Sequence, residues 1–299
     1  MTESESHDEE VVADSANVFS LLGDETRLEI LAILSESESS VVSFSTLYEH
    51  VGMDDSGQFN YHLSQLVGKF VAKSEEGYRL TSAGRRVARA VEAGYYTESA
   101  VIDPFDIDGT CLFCEERALQ ASYIDEQFHV ECTACGESIL DVFAPPSLVR
   151  GRTPAQALAA FERWSNGRVQ QAHRHELCPY CGGPIERTLR TDLEKDRYDV
   201  LPAFECKVCT GTVTTSFGAL AVADPVVEAF ERSRDVQDRN RNYWEREQFV
   251  TEHHTTILSE EPWRVEVAFP ATEEICRVVI DDQHRIVRTE LETRDGQSP

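Results

Sequence analysis

The chain has 299 residues and an apolar fraction of 41%, enough for packed cores and, at about 150 residues per domain, for two or more of them. Its formal net charge of −26 excludes a generally phosphate-binding surface, because a bulk negative field repels nucleic acid; any such binding has to come from a local exception. No run of about 18 apolar residues occurs, and the start MTESESHDEEVVADS lacks the basic residues and apolar stretch of a secretory signal, so a cytoplasmic protein with no membrane span is expected.

Residues 1–13 read as a disordered acidic tail. ANVFSLLGDETRLEILAIL follows, with apolar positions at Val18, Leu21, Leu22, Leu28, Ile30, Leu31, Ile33 and Leu34. This predicts two helices broken at Gly23-Asp24, the second capped by Asp24. SFSTLYEHVG predicts a short helix with Phe44, Leu47 and Val51 on one face, and MDDSG supplies turn and capping residues. In SGQFNYHLSQLVGKF, the residues Phe59, Leu63, Leu66 and Phe70 recur at three- or four-residue spacing and should face a core. Gln58, Asn60, Tyr61 and Ser64 are left on the other side, with Ser56 at the helix start; His62 reads as packed or hydrogen-bonded. KFVAKSEEGYRLT predicts a β-hairpin turning at Glu76-Gly77 and flanked by Lys73 and Arg79, and Thr81 should cap a further helix.

Charge supplies the local exception. Residues 56–91 carry six bases (Lys69, Lys73, Arg79, Arg85, Arg86, Arg89) against Glu75 and Glu76, whereas residues 1–55 carry Arg27 alone. A short helix, a turn with glycine and a second helix form a helix-turn-helix pattern, whose second helix offers its early residues to base edges in the major groove. A hairpin behind it is a wing placed to touch phosphate. LLGDETRLEILAIL, SGQFNYHLSQL and the wing ending YRLTSAG resemble the ArsR-type winged helix-turn-helix regulators over roughly residues 15–95. The resemblance implies a homodimer on palindromic double-stranded DNA, with the helix from Thr81 helping dimerisation. The helix FSTLYEHV lacks the paired cysteines that metalloid sensors of that family carry there, so thiolate sensing at that site is excluded. The basic residues are 24 Arg and 4 Lys; acid excess with so little lysine resembles proteins of salt-loving archaea, an adaptation to solvent rather than to a partner.

Eight of nine cysteines form four C-x-x-C pairs: Cys111 and Cys114, Cys132 and Cys135, Cys178 and Cys181, Cys206 and Cys209. The gaps within each double pair are 17 and 24 residues. Two such turns can close four thiolates tetrahedrally round Zn²⁺, and in a reducing compartment ligation is favoured over disulfides. Four thiolates leave no position for a catalytic water, so two structural zinc sites are expected. FHVECTACGESILDVFAPP and PAFECKVCTGTVTTSFGAL each place an aromatic residue and Glu-Cys before the second pair. Each leads into a proline-initiated helix, TPAQALAAFERW or DPVVEAFERS, with Phe-Glu-Arg triplets at Phe161 and Phe230, 69 residues apart. The economical explanation is duplication of a ribbon-plus-helix unit.

Other candidates carry less. His129-Val-Glu131 stands directly beside Cys132, whereas a zinc deaminase needs its Pro-Cys-x-x-Cys well downstream. His173 and His175 read as a solvated linker, and Cys276 as a buried hydrophobe. There is no P-loop, dinucleotide-binding glycine fingerprint or nucleophile elbow, and no enzyme is expected. The stretch after Phe230 reads as a charged helix. WRVEVAF and ICRVVI then pair as antiparallel strands in a small β unit at 255–291, and similar tails follow ribbon repeats in ArsR-like regulators of salt-loving archaea.

The expected fold class is α+β and multidomain. It comprises the tail 1–13, a winged helix-turn-helix at 14–100, zinc ribbon 1 plus helix at 101–170, zinc ribbon 2 plus helix at 171–235, and a helix with the β unit at 236–299. The expected function is a sequence-specific transcriptional regulator with DNA contacts from Ser56, Gln58, Asn60, Tyr61, Ser64, Lys69, Lys73 and Arg79. Its zinc-stiffened C-terminal region would serve assembly, effector sensing or contact with the transcription machinery. The alternative is a basal transcription factor of the archaeal TFE kind, which acts mainly through protein contacts.

Overall fold

The structure is a computed structural model that describes residues 16–37, 41–96, 100–191, 198–222, 224–234 and 242–294; the acidic tail lies outside them. It is mixed α and β, in two compact units, Met1–Glu98 and Ser99–Pro299. No helix among the described residues is long and apolar enough to cross a membrane.

The first unit follows its local signals closely. Helix α1 covers residues 16–22 and α2 covers Glu25–Glu36, with Asp24 as N-cap accepting from the Arg27 amide. Ser43 caps α3 (Phe44–Val51), Gly52 ends it in the left-handed conformation, and Asp55 caps α4 (Ser56–Leu66). Strands β1 (Val71–Lys73) and β2 (Tyr78–Leu80) form the antiparallel hairpin, and Thr81 caps α5 (Ser82–Glu92). Val42 exchanges both backbone hydrogen bonds with Tyr78 at 2.8 Å. Gly77 is required at that crossing, because a β-carbon there would stand 2.4 Å from the Val42 carbonyl oxygen. The core gathers Ile30, Leu31, Leu47, Phe59, Leu63, Leu66, Phe70 and Leu80. Phe70 reaches it from the turn beyond α4 rather than from the helix itself.

The second unit holds three antiparallel sheets. The first is a meander of β3 (Ile102–Asp106), β4 (Leu119–Ile124), β5 (Gln127–Cys132) and β6 (Ser138–Phe143). A capping box at Thr153 and Gln156, with proline at the first turn, then starts α6 (Pro154–His175). The second sheet is β7 (Ile185–Arg190), β8 (Leu201–Cys206) and β9 (Thr212–Thr214), followed by α7 (Phe217–Val222) and α8 (Pro225–Ser233). A 3₁₀ turn at Tyr243–Glu245 and a short helix α9 (Glu247–Val250) lead to the third sheet, β10 (Thr255–Glu260), β11 (Trp263–Pro270), β12 (Glu274–Asp281) and β13 (Ile286–Thr293), again a meander. The expected pairing of WRVEVAF with ICRVVI is present, with Val267 opposite Val278.

Two expectations change. His173 and His175 are no linker; they sit in the last turn of the 22-residue α6, which closes only at Glu176 in the left-handed conformation. The charged stretch after α8 has only the 3₁₀ turn and α9 among its described residues, and residues 235–241 lie outside them.

Two cores divide this unit. The first joins Leu119, Tyr123, Phe128 and Val130 of the first sheet to Ala157, Leu158 and Phe161 of α6 and to Trp244 and Phe249. The second joins Phe204 and Val213 to Val227 and Phe230 of α8, Ala172 of α6, and Val265, Val267, Phe269, Cys276, Val278 and Ile280 of the third sheet. Helix α6 thus belongs to the first core at its start and to the second at its end.

Candidate functional site

The four C-x-x-C turns share one local geometry. In each, the first cysteine's amide donates to the carbonyl five residues on: Cys111 to Glu116, Cys132 to Glu137, Cys178 to Gly183 and Cys206 to Gly211, at 2.9–3.0 Å. The residue four after that cysteine takes positive φ: Glu115 at 62°, Gly136 at 77°, Gly182 at 76° and Thr210 at 57°. This curls the backbone around the sulfur and aims amides at it. Phe113 N–H donates to Cys111 Sγ at 3.4 Å, Tyr180 N–H to Cys178 Sγ at 3.4 Å, and Val208 N–H to Cys206 Sγ at 3.3 Å.

The turns converge in pairs. Sulfurs of Cys111, Cys114, Cys132 and Cys135 lie within 4.8 Å of one another, as do those of Cys178, Cys181, Cys206 and Cys209. The nearest approaches are 3.8 Å (Cys111 to Cys135) and 3.6 Å (Cys114 to Cys132) in the first group, and 3.5 Å (Cys178 to Cys209, Cys181 to Cys206) in the second. Disulfides would need about 2.05 Å. Tetrahedral corners about 2.3 Å from a zinc ion lie about 3.8 Å apart, so both groups have the size and the donor set for that ion. Charge points the same way. Burial raises the Cys132 thiol, but the Cys135 and Ala134 amides and the neighbouring thiols outweigh it and bring it down to about 7. The Cys209 amide leads in bringing Cys206 down to about 6. Their companions go the other way. The Glu116 amide favours the Cys114 thiolate, yet burial and three thiols push it up to about 12; the Gly211 amide is likewise outweighed at Cys209, also pushed up to about 12. Such a set accepts its first negative charge readily and its last only with a cation at the centre.

In the first unit, the candidate contact residues are where sequence periodicity puts them. Ser56, Gln58, Asn60, Tyr61 and Ser64 are exposed on α4 while Phe59, His62, Leu63 and Leu66 are buried. Lys69 is exposed in the turn after α4, Lys73 and Arg79 on the hairpin strands, where Arg79 stands opposite Ala72. His62 is packed, its Nδ1 3.2 Å from the Asp24 carboxylate that caps α2, so the start of α2 lies against the middle of α4.

Sequence reasoning missed what the duplicated Phe-Glu-Arg triplets do. Glu162 accepts the Tyr243 amide at 2.8 Å, and Glu231 forms a buried ion pair with Arg246. The two triplets thus grip one segment, Tyr243–Val250, from both repeats, and line a cavity of about 560 Å³ together with Tyr243 and Phe249. The matching triplets were visible; their convergence was not. His284 was missed too. It is 1% exposed, Nε2–H donates to the Thr188 carbonyl at 3.0 Å, and burial foremost pushes its pKa down to about 4.

A family model described as a domain of unknown function (DUF7351) matches residues 108–286, and a second such model (DUF7347) matches residues 15–91. No curated protein matches the chain.

Proposed function

The chain belongs to the DUF7351 family, and we propose that it is a sequence-selective DNA-binding regulator that works as a homodimer. In this reading the first unit is a winged helix-turn-helix and the second is a zinc-stiffened region for assembly, effector or protein contacts. The observation that carries it is the division of α4: an apolar side filling the core and a polar side, Ser56, Gln58, Asn60, Tyr61 and Ser64, held out to solvent. An ordinary surface helix shows the same division; what favours a reading head is its place between a short helix ended by Gly52 and the basic hairpin, with glutamine and asparagine able to pair bidentately with adenine and tyrosine offering a ring and a hydroxyl. The hairpin adds Lys73 and Arg79 as phosphate contacts in the one basic stretch of this unit. Phosphate contacts fix register and base edges specify sequence. Zinc, when bound, would be held by Cys111, Cys114, Cys132 and Cys135 and by Cys178, Cys181, Cys206 and Cys209, where it cross-links two turns per site.

Selection from a random DNA library with the zinc-loaded full chain tests this. An enriched palindrome, lost in the Gln58→Ala/Tyr61→Ala variant, is the expected result. Lys73→Ala should weaken all sequences alike and lower the salt slope by about 1. A folded chain that enriches nothing would move the function to a protein-contacting factor of the basal transcription kind.

A further inference from the structure

The two cysteine groups differ in how the surrounding structure holds them. In the first, Cys111 and Cys132 are buried and belong to the apolar core, Cys114 packs against it, and Cys135 is the one exposed member. In the second, Cys178 and Cys206 are buried but Cys181 and Cys209 are both exposed, and none of the four cysteines belongs to the second core. Ligand exchange at a four-thiolate site begins when an incoming donor or metal reaches a sulfur, so two open thiols, Cys181 and Cys209, lower the barrier more than the single open Cys135, whose three companions are released only by movement of the first core.

The second group is also mechanically connected. Tyr180 lies inside its first turn, between Cys178 and Cys181, and its partner turn passes so close that a β-carbon on Gly211 would come within 2.6 Å of the Tyr180 ring. The ring faces the guanidinium of Arg168 at 4.6 Å, and the same guanidinium faces Trp164 at 4.5 Å. The Arg168 guanidinium also contacts the Tyr180 hydroxyl. Trp164 meets Phe143, at the end of β6, with ring centroids 6.2 Å apart. A line of stacked side chains therefore runs from the second cysteine group through α6 to the first sheet. Arg163, Asn166, Gln170 and Arg174 of the same helix line the cavity gripped by the two triplets.

We propose that the second cysteine group is an exchangeable site for thiophilic metal ions, and that Tyr180 and Arg168 relay its occupancy to α6. The first group is a permanent staple. A metal ion ties the sulfurs of the two turns together and so steadies Tyr180; without it the turns are joined by backbone contacts such as Lys207 N–H to the Pro184 carbonyl at 3.0 Å, and the stack on Arg168 loosens. The inference rests on the assignment of metal to both groups.

The test uses the full chain loaded with zinc and challenged with a chromogenic chelator, with release and tryptophan emission followed together. Two zinc ions per chain should leave in two phases, the faster by about tenfold or more. Cys181→Ser should remove the fast phase alone, and the emission change in that phase should vanish in Trp164→Phe. Arg168→Ala should weaken the second site by on the order of tenfold and leave the first as it was. Cadmium added to the zinc-loaded chain should give its thiolate charge-transfer absorption with one equivalent before the second. Equal release rates, or a fast phase that survives Cys181→Ser, would overturn the exchangeable site. An emission change that persists in Trp164→Phe would overturn the relay. A folded chain that takes up no zinc would defeat the metal assignment and this inference together.

Discussion

Around Cys111 and Cys132 stand Leu119, Phe128, Val130 and Trp244, a core that the first cysteine unit shares with its own helix α6. Around Phe204 and Val213 of the second unit stand Val265, Val267, Phe269 and Ile280, residues of a different sheet altogether. Both units come from one pattern of two C-x-x-C turns, three strands and a proline-initiated helix. The first has a fourth strand, β3, and a core completed by Trp244 and Phe249, with Cys111 and Cys132 inside it. The second has three strands, one of them only three residues long, and leans on the C-terminal meander, leaving its ligands at the margin. The difference teaches that similar sequence patterns do not impose the same energetics: what each pattern packs against decides how many of its cysteines join a core.

The comparison can be broken hardest at the ligands. A closed four-thiolate zinc site contributes on the order of 10 kcal/mol to the folding of the segment that carries it. Cys132→Ser should therefore abolish the cooperative melting of the first cysteine unit and the core it shares with α6. Cys206→Ser, at the matching buried position, should leave a folded chain with a lower melting temperature, as followed by calorimetry. Equal effects would mean that burial does not distinguish the sites.

The two triplets provide the next test. Glu231→Ala leaves Arg246 buried without its carboxylate and should cost about 3–5 kcal/mol in denaturant unfolding. Glu162→Ala loses an acceptor for one amide and should cost about 1–3 kcal/mol. The reverse order would show that the grip on Tyr243–Val250 comes from the first repeat.

The lean of the second unit on the third sheet has a pH signature. His284, in the turn after β12, donates to Thr188 of β7 and is held neutral, its pKa pushed from 6.5 down to about 4. Between those values the unfolded chain binds the proton and the folded one does not, so stability falls as pH drops from 6.5 towards 4 and the loss is complete below it. The size is about 3 kcal/mol. His284→Phe should flatten that part of the profile relative to the parent chain; an unchanged slope would place the acid sensitivity elsewhere.

The smallest effect concerns the turns themselves. Two of the four left-handed positions carry glycine, while Glu115 and Thr210 do not. Thr210 is β-branched and the more strained. Thr210→Gly should stabilise by up to about 1 kcal/mol and Glu115→Gly by less, read as shifts in melting temperature.

Much of this molecule was legible without coordinates because the signals are short-range. Asp24, Ser43, Asp55 and Thr81 each accept an amide two or three residues away, so a cap is written in four adjacent letters. The buried side of α4 follows from a period of 3.6, and the metal-ligand sets follow because two residues between cysteines hold both sulfurs at one turn. The linker reading of His173 and His175 failed for a matching reason: nothing within four residues says that α6 will continue, and its last turn is held by packing of Ala172 and His173 near Phe204.

By itself, then, the sequence determined the caps, the hairpin, the duplicated cysteine turns and which side of each helix is apolar, all of them consequences of backbone geometry over a few residues. Only the tertiary structure decided which core each half of α6 joins, that Glu162 meets Tyr243 across 81 residues and His284 meets Thr188 across 96, and that Arg168 lies between two rings. Such contacts carry no local signature, because they depend on the shapes of surfaces that exist only after the sheets and helices have packed.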